Sequence, residues 1–160
     1  MSKLNLNEFR RIIGYSYLLY IVLIIPVSLF HELGHAAVCS ASGYTFSIWL
    51  DFRGGHSVCY GVFNNTFLIG AMGGIFGLIA ASAMFGVWYL SGKFAPIAVV
   101  GSAFALDQGL KVILETAVPR LYAAGAFDLS ITVLQILSVA LFAIYFAKRQ
   151  MLPSLKELQR

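Results

Sequence analysis

Polar and apolar positions along the chain alternate on the scale of whole segments. Four runs of about 20 or more apolar residues, the length a bilayer requires of a helix, are separated by short polar or glycine-containing breaks. They extend from Ile12 to about Ala41, Thr66 to Leu90, Pro96 to Val118, and Leu129 to Ala147. Between the first and second lies a stretch of different period. Phe46, Ile48, Leu50 and Phe52 alternate with Ser47, Trp49 and Asp51, and Arg53-Gly54-Gly55 follows. Alternation of period two beside a glycine pair predicts a β-hairpin, with the glycines supplying positive φ in its turn. The expected architecture is therefore an all-α integral membrane protein of about four transmembrane helices, with a short β-hairpin between the first and second. Residues 1–160 read as one membrane domain.

Composition agrees with lipid as the solvent. The chain is 59% apolar and 11% charged, whereas a soluble domain needs about a quarter of its residues charged. Soluble enzymes, disordered chains and nucleic-acid binders are thereby excluded. Seven of the 11 Lys and Arg lie in the tails (Lys3, Arg10, Arg11, Lys148, Arg149, Lys156 and Arg160), where charge flanking apolar spans signals topology. An even number of spans puts both tails, and Lys93 between the second and third spans, on one side, so both termini are expected in the cytoplasm. The first span is too long for a cleaved signal and is expected to be retained. Cys39 and Cys59 are too few for a disulfide framework and leave the redox compartment open.

Chemistry concentrates in His31-Glu32-Leu33-Gly34-His35, inside the first span. Ionisable groups at membrane depth are costly unless they have a role. His31 and His35, one turn apart, present two imidazoles on one helical face, the arrangement that grips Zn²⁺. Glu32, about 100° round the helix, reaches a water at the metal without being a ligand. A catalytic zinc takes a third protein ligand. His56 in the hairpin and Asp107 in the third span are the candidates. Asp107 is favoured because a carboxylate in an apolar run needs a partner. Its rival role is a structural ion pair, since Asp107, Lys111 and Glu115 share one helical face at i, i+4 and i+8 and Lys111 can neutralise either acid. His56, Asn64 and Asn65 are candidate oxyanion donors or substrate-binding residues, and Asn64-Asn65-Thr66 also has the spacing of a glycosylation acceptor. In the second span Gly70, Gly73, Gly74 and Gly77 form a small-residue face suited to close helix packing. Pro26, which cannot donate to the carbonyl of Val22, is expected to bend the first helix.

HELGH in an apolar helix, then Arg53-Gly54-Gly55, then Gly70-Ala-Met-Gly73-Gly74-Ile-Phe-Gly77, then Leu106-Asp107-Gln108-Gly109 together resemble the core of the site-2 protease family of intramembrane zinc metalloproteases, over about residues 20–118. The resemblance implies one Zn²⁺ per chain held by His31, His35 and Asp107, with Glu32 as general base, and hydrolysis of membrane-protein substrates by a zinc-activated water. It also implies a hairpin edge able to take substrate as an added strand. The family's Asp-Gly motif carries an inserted residue here, Gln108, and no Asn-Pro precedes Asp107. A second function therefore stays open: a non-proteolytic small subunit packing within a larger membrane complex, with the C-terminal helix, about 129–147, as its docking face.

Overall fold

The computed structural model describes residues 6–51, 54–62, 66–91 and 94–157, with side chains described as far as residue 148. The chain runs α1 (Leu6–Ala41), β1 (Thr45–Asp51), β2 (Gly54–Tyr60), α2 (Thr66–Ser91), α3 (Ala95–Ala117), α4 (Pro119–Ala123) and α5 (Asp128–Glu157). Four helices, α1, α2, α3 and the Asp128–Lys148 part of α5, are long and apolar enough to cross a membrane. In lipid every backbone N–H and C=O must be bonded within its own segment, and uninterrupted helices achieve this. The protein is a multi-pass membrane protein with a two-stranded antiparallel hairpin between its first and second spans.

α1 begins earlier than the apolar run predicts and continues through Pro26 for 36 residues. It stops at Gly43, whose φ of +80° suits glycine. There the Gly43 N–H donates to the Ser40 carbonyl at 2.9 Å and the Tyr44 N–H to the Cys39 carbonyl at 3.1 Å, satisfying carbonyls that the helix end leaves without partners. The reversal sends β1 and β2 back along α1. Their register pairs Thr45 with Tyr60 and Asp51 with Gly54. The turn differs from expectation. Gly54, at φ +130°, and Gly55 open β2 itself, leaving residues 52 and 53, outside the described set, to connect the strands. Gly55 serves closeness instead, because a Cβ there would meet Glu32 Cγ at 2.8 Å and the Ser28 carbonyl at 3.2 Å. A disulfide joins Cys39 on α1 to Cys59 on β2, with Cα atoms 5.8 Å apart, and fastens the hairpin to the helix.

α3 is the central helix and packs on α1, α2 and α5. Val99, Val100, Ala103 and Phe104 of α3 meet Ala81 of α2, Val139 and Ala143 of α5, and Tyr20 of α1, which stacks on Phe104 with ring centroids 4.5 Å apart. The glycine face of α2 is internal. A Cβ at Gly70 would meet the Glu115 carbonyl at 2.7 Å, and one at Gly74 the Gln108 carbonyl at 2.8 Å. Gly34 of α1 fits against the Met72 carbonyl in the same manner. α5 is an integral part of the bundle, with Val139 and Ala143 fully buried.

Substitution at these crossings tests the packing. Gly34→Val, which pushes a side chain into the Met72 backbone, is expected to lower stability by about 1–3 kcal/mol. Gly14→Ala, where none of the described residues lies within 4 Å of the added Cβ, is expected to raise it by about 0.5–1 kcal/mol. Thermal unfolding in detergent, followed by circular dichroism, measures both. Equal melting of the Gly34 variant and the parent would contradict the close crossing.

Candidate metal centre

His31, Glu32 and His35 come together as the helical spacing predicts. One ligand atom from each lies within 4.8 Å of the others, so the group could hold a metal ion. The structure adds what holds the imidazoles in place. His35 Nδ1 lies 2.6 Å from the Ile69 carbonyl, which only accepts, so Nδ1 carries the hydrogen. His31 Nδ1 lies 2.7 Å from Gln108 Oε1. The amide of Gln108 is oriented in turn, since its Nε2 donates to Asp107 Oδ2 at 2.9 Å. His31 Nδ1 therefore also donates.

With both Nδ1 atoms engaged, the Nε2 atoms face each other, 3.1 Å apart. A carboxylate faces the same point: Glu115 Oε1 is 3.0 Å from His31 Nε2, and Oε2 is 3.6 Å from His35 Nε2. Glu115 Oε2 is buried and no described hydrogen bond reaches it. Three such groups converging in a buried place suit a shared cation. A proton on one Nε2 would serve a single neighbour. Tetrahedral zinc with bonds near 2.0–2.1 Å sets its donors roughly 3.3 Å apart, close to the separations present. Gly73 completes the cradle, because a Cβ on it would enter the space of His35 Nε2 and come within 2.7 Å of His31 Nε2. The residues present could hold a metal ion.

The expectation that Asp107 is the third ligand is corrected by this geometry. Asp107 is buried, but its oxygens are occupied elsewhere. Lys111 Nζ lies 3.1 Å from Oδ2, and Gln135 Nε2 of α5 donates to Oδ1 at 2.9 Å. The ion-pair role applies, and Glu115, two turns further along the same face, is the acid beside the imidazoles. Asp107 still serves the centre by orienting Gln108, which fixes the tautomer of His31. Matching depths by counting from helix ends misleads here. His31 and Asp107 each lie ten residues before the end of their helices. α1 has 36 residues against 23 in α3 and projects roughly 12 Å beyond it at about 1.5 Å per residue, so His31 lies level with the last turn of α3.

Glu32 is buried on the hairpin side of the imidazoles, where its Oε2 accepts a hydrogen bond from Ser57 Oγ at 2.6 Å. His56 lines the same cleft and is engaged within the hairpin. Its Nε2 lies 3.0 Å from Asp51 Oδ1 and its ring stacks on Trp49 at 5.4 Å. Asn64 and Asn65 lie outside the described residues. All three ionisable residues of the motif line a cleft of about 1030 Å³ bounded by the hairpin, α1, the start of α2, the end of α3 and α4.

Tyr122 of α4, which the sequence reading does not single out, also lines this cleft. Its phenol lies near the Glu115 carboxylate. Burial, and then the negative charges of Glu115 and Asp107, hold it well above its ordinary range, so it is a neutral donor at physiological pH. Glu115 carries a signal in the sequence, as an acid in an apolar span. Tyr122 carries none, because a tyrosine near the end of a span reads as interfacial.

Metal content of purified variants tests the donor set. Glu115→Ala and His35→Ala are expected to hold well below one zinc per chain. Asp107→Ala is expected to reach full occupancy at saturating zinc with affinity lower by about 10–100-fold, and His56→Ala to match the parent. Full-affinity binding in Glu115→Ala would return the third position to another residue.

No family model, no curated protein and no solved structure matches the chain, and the reading of its function rests on the geometry of this centre.

Proposed function

We propose that the chain is an intramembrane zinc metalloprotease hydrolysing peptide bonds of membrane-protein substrates. The observation that carries the reading is the convergence of His31 Nε2, His35 Nε2 and the Glu115 carboxylate on one buried point, with Glu32 beside it. In this proposal His31, His35 and Glu115 hold the ion. Zinc bound there supplies a Lewis acid that activates water and polarises the scissile carbonyl. Glu32 takes the proton of the attacking water and passes it to the departing amine nitrogen. Ser57 anchors one Glu32 oxygen and leaves the other for that transfer. Phe46 and Trp49 of β1 and the 54–59 segment of β2 line the same cleft, which supports the hairpin as the element that accepts an unwound substrate segment by strand addition.

Two independent features support a site that opens away from the cytoplasm. The basic residues concentrate at the tails and at Lys93, which the positive-inside tendency assigns to the cytoplasm. The Cys39–Cys59 disulfide lies beside the site, at the other end of α1, and disulfides persist in oxidising compartments. Both support a hairpin on the extracytoplasmic side and both termini inside.

Glu32→Gln, reconstituted in liposomes with a transmembrane substrate, is expected to keep its zinc and to lose cleavage by about 10²–10⁴-fold. A wild-type chain that holds zinc and cleaves none of a broad substrate panel would overturn the proteolytic reading in favour of a subunit of a larger membrane complex.

A further inference from the structure

We propose that Tyr122 is a catalytic residue whose phenol donates a hydrogen bond to the oxyanion formed when the scissile carbonyl is attacked. This inference rests on the metalloprotease reading and adds to it the group that the motif residues do not supply. Hydrolysis at this centre needs two kinds of help from side chains. Glu32 moves the proton. As the water oxygen bonds to the carbonyl carbon, the C=O π electrons move to the carbonyl oxygen, and a donor must meet that charge. When the C–N bond breaks, those electrons re-form the carbonyl and the proton held by Glu32 goes to the amine nitrogen. Tyr122 keeps its own proton throughout.

Three other side-chain donors that line the cleft are engaged. Lys111 Nζ lies on Asp107 at 3.1 Å, Ser57 Oγ donates to Glu32 at 2.6 Å, and His56 Nε2 lies on Asp51 at 3.0 Å. The phenol of Tyr122 is itself hydrogen-bonded to Glu115, the same carboxylate that faces both imidazoles. With an ion held by Glu115, the phenol would be able to turn this hydrogen to an acceptor at that ion.

The backbone fixes the position of this group. Val118, with φ −137°, ends α3, and Pro119 starts α4, whose ring favours the first turn of a helix. The Tyr122 N–H donates to the Val118 carbonyl at 3.0 Å, and its own carbonyl accepts from Gly125 N–H at 2.9 Å. Gly125, at φ +75°, then turns the chain toward α5. Tyr122 is thus held from both sides on a turn that caps the cleft. Glu32, by contrast, is tethered to the hairpin, so base and oxyanion donor reach the ion from different elements.

The test uses the full-length chain, zinc-loaded, and two probes. A phosphinic peptide carries a tetrahedral anion in place of the attacked carbonyl, and a mercaptoacetyl peptide binds zinc through sulfur and has no oxyanion. Tyr122→Phe is expected to keep one zinc per chain, to lower kcat by about 10²–10³-fold with KM nearly unchanged, and to weaken the phosphinic peptide at least tenfold while leaving the thiol peptide unaffected. Unchanged phosphinic affinity overturns the proposal. So does equal weakening of both probes with loss of zinc, which would make Tyr122 a prop for Glu115. If Phe at 122 compromises folding, a fluorinated tyrosine keeps the shape and strengthens the donor. It is expected to tighten the phosphinic peptide alone, and no change overturns the proposal equally. A wild-type chain that holds zinc and binds neither probe overturns the metalloprotease reading itself, an outcome distinct from a wild type that binds both and a variant that behaves like it.

Discussion

Two imidazole Nε2 atoms and a carboxylate directed at one buried point are the constraint around which the rest of this bundle is arranged. Such a grouping is unfavourable in an apolar interior unless each member is held from behind. His35 is held by the Ile69 carbonyl of α2, and His31 by Gln108 of α3. Gln108 is aligned by Asp107, which Lys111 and Gln135 of α5 hold in place. All four spans thereby contribute to the orientation of two rings. The buried charge of Asp107 is explained by this chain of bonds, since it has a cation and two amides for partners.

Close approach of the helices follows from the same need. An imidazole is short, so α1 can meet a carbonyl of α2 and a carboxylate of α3 only if both neighbours lie near it. Glycine at 34 lets α1 settle on the Met72 backbone, and Gly70, Gly74 and Gly77 let α3 settle on α2. Gly73 is turned the other way, toward the imidazoles. A single glycine-rich stretch therefore serves both helix packing and the floor of the centre.

The hairpin closes the site from outside the bundle. Its alternating strands cannot be buried on both faces by so small a structure, and Phe46, Leu50 and Tyr60 are exposed to the surroundings. A two-stranded hairpin is weak by itself. The disulfide to α1 and the bond from Ser57 to Glu32 attach it at two points, and Gly55 lets it lie flat against the helix that carries the motif.

The sequence alone determined whatever depends on local period and on the cost of burying charge. Four apolar runs specify four spanning helices, because lipid leaves the backbone no other partners. Alternation at 46–52 specifies a strand, and i, i+4 spacing puts His31 and His35 on one face with Glu32 beside it. The tertiary structure decided what depends on the relative depth of helices distant in sequence. Asp107 and Glu115 lie on the same stripe of α3, both acidic and both in an apolar span, and nothing local distinguishes them. Which one meets the imidazoles is settled by how far α1 slides past α3, a distance set by glycine contacts at 34, 70 and 74. The pairing of Cys39 with Cys59 and the return of Tyr122 over the cleft are of the same kind. Each depends on where a turn aims the chain, and direction in space, unlike periodicity, is a property of the packed whole.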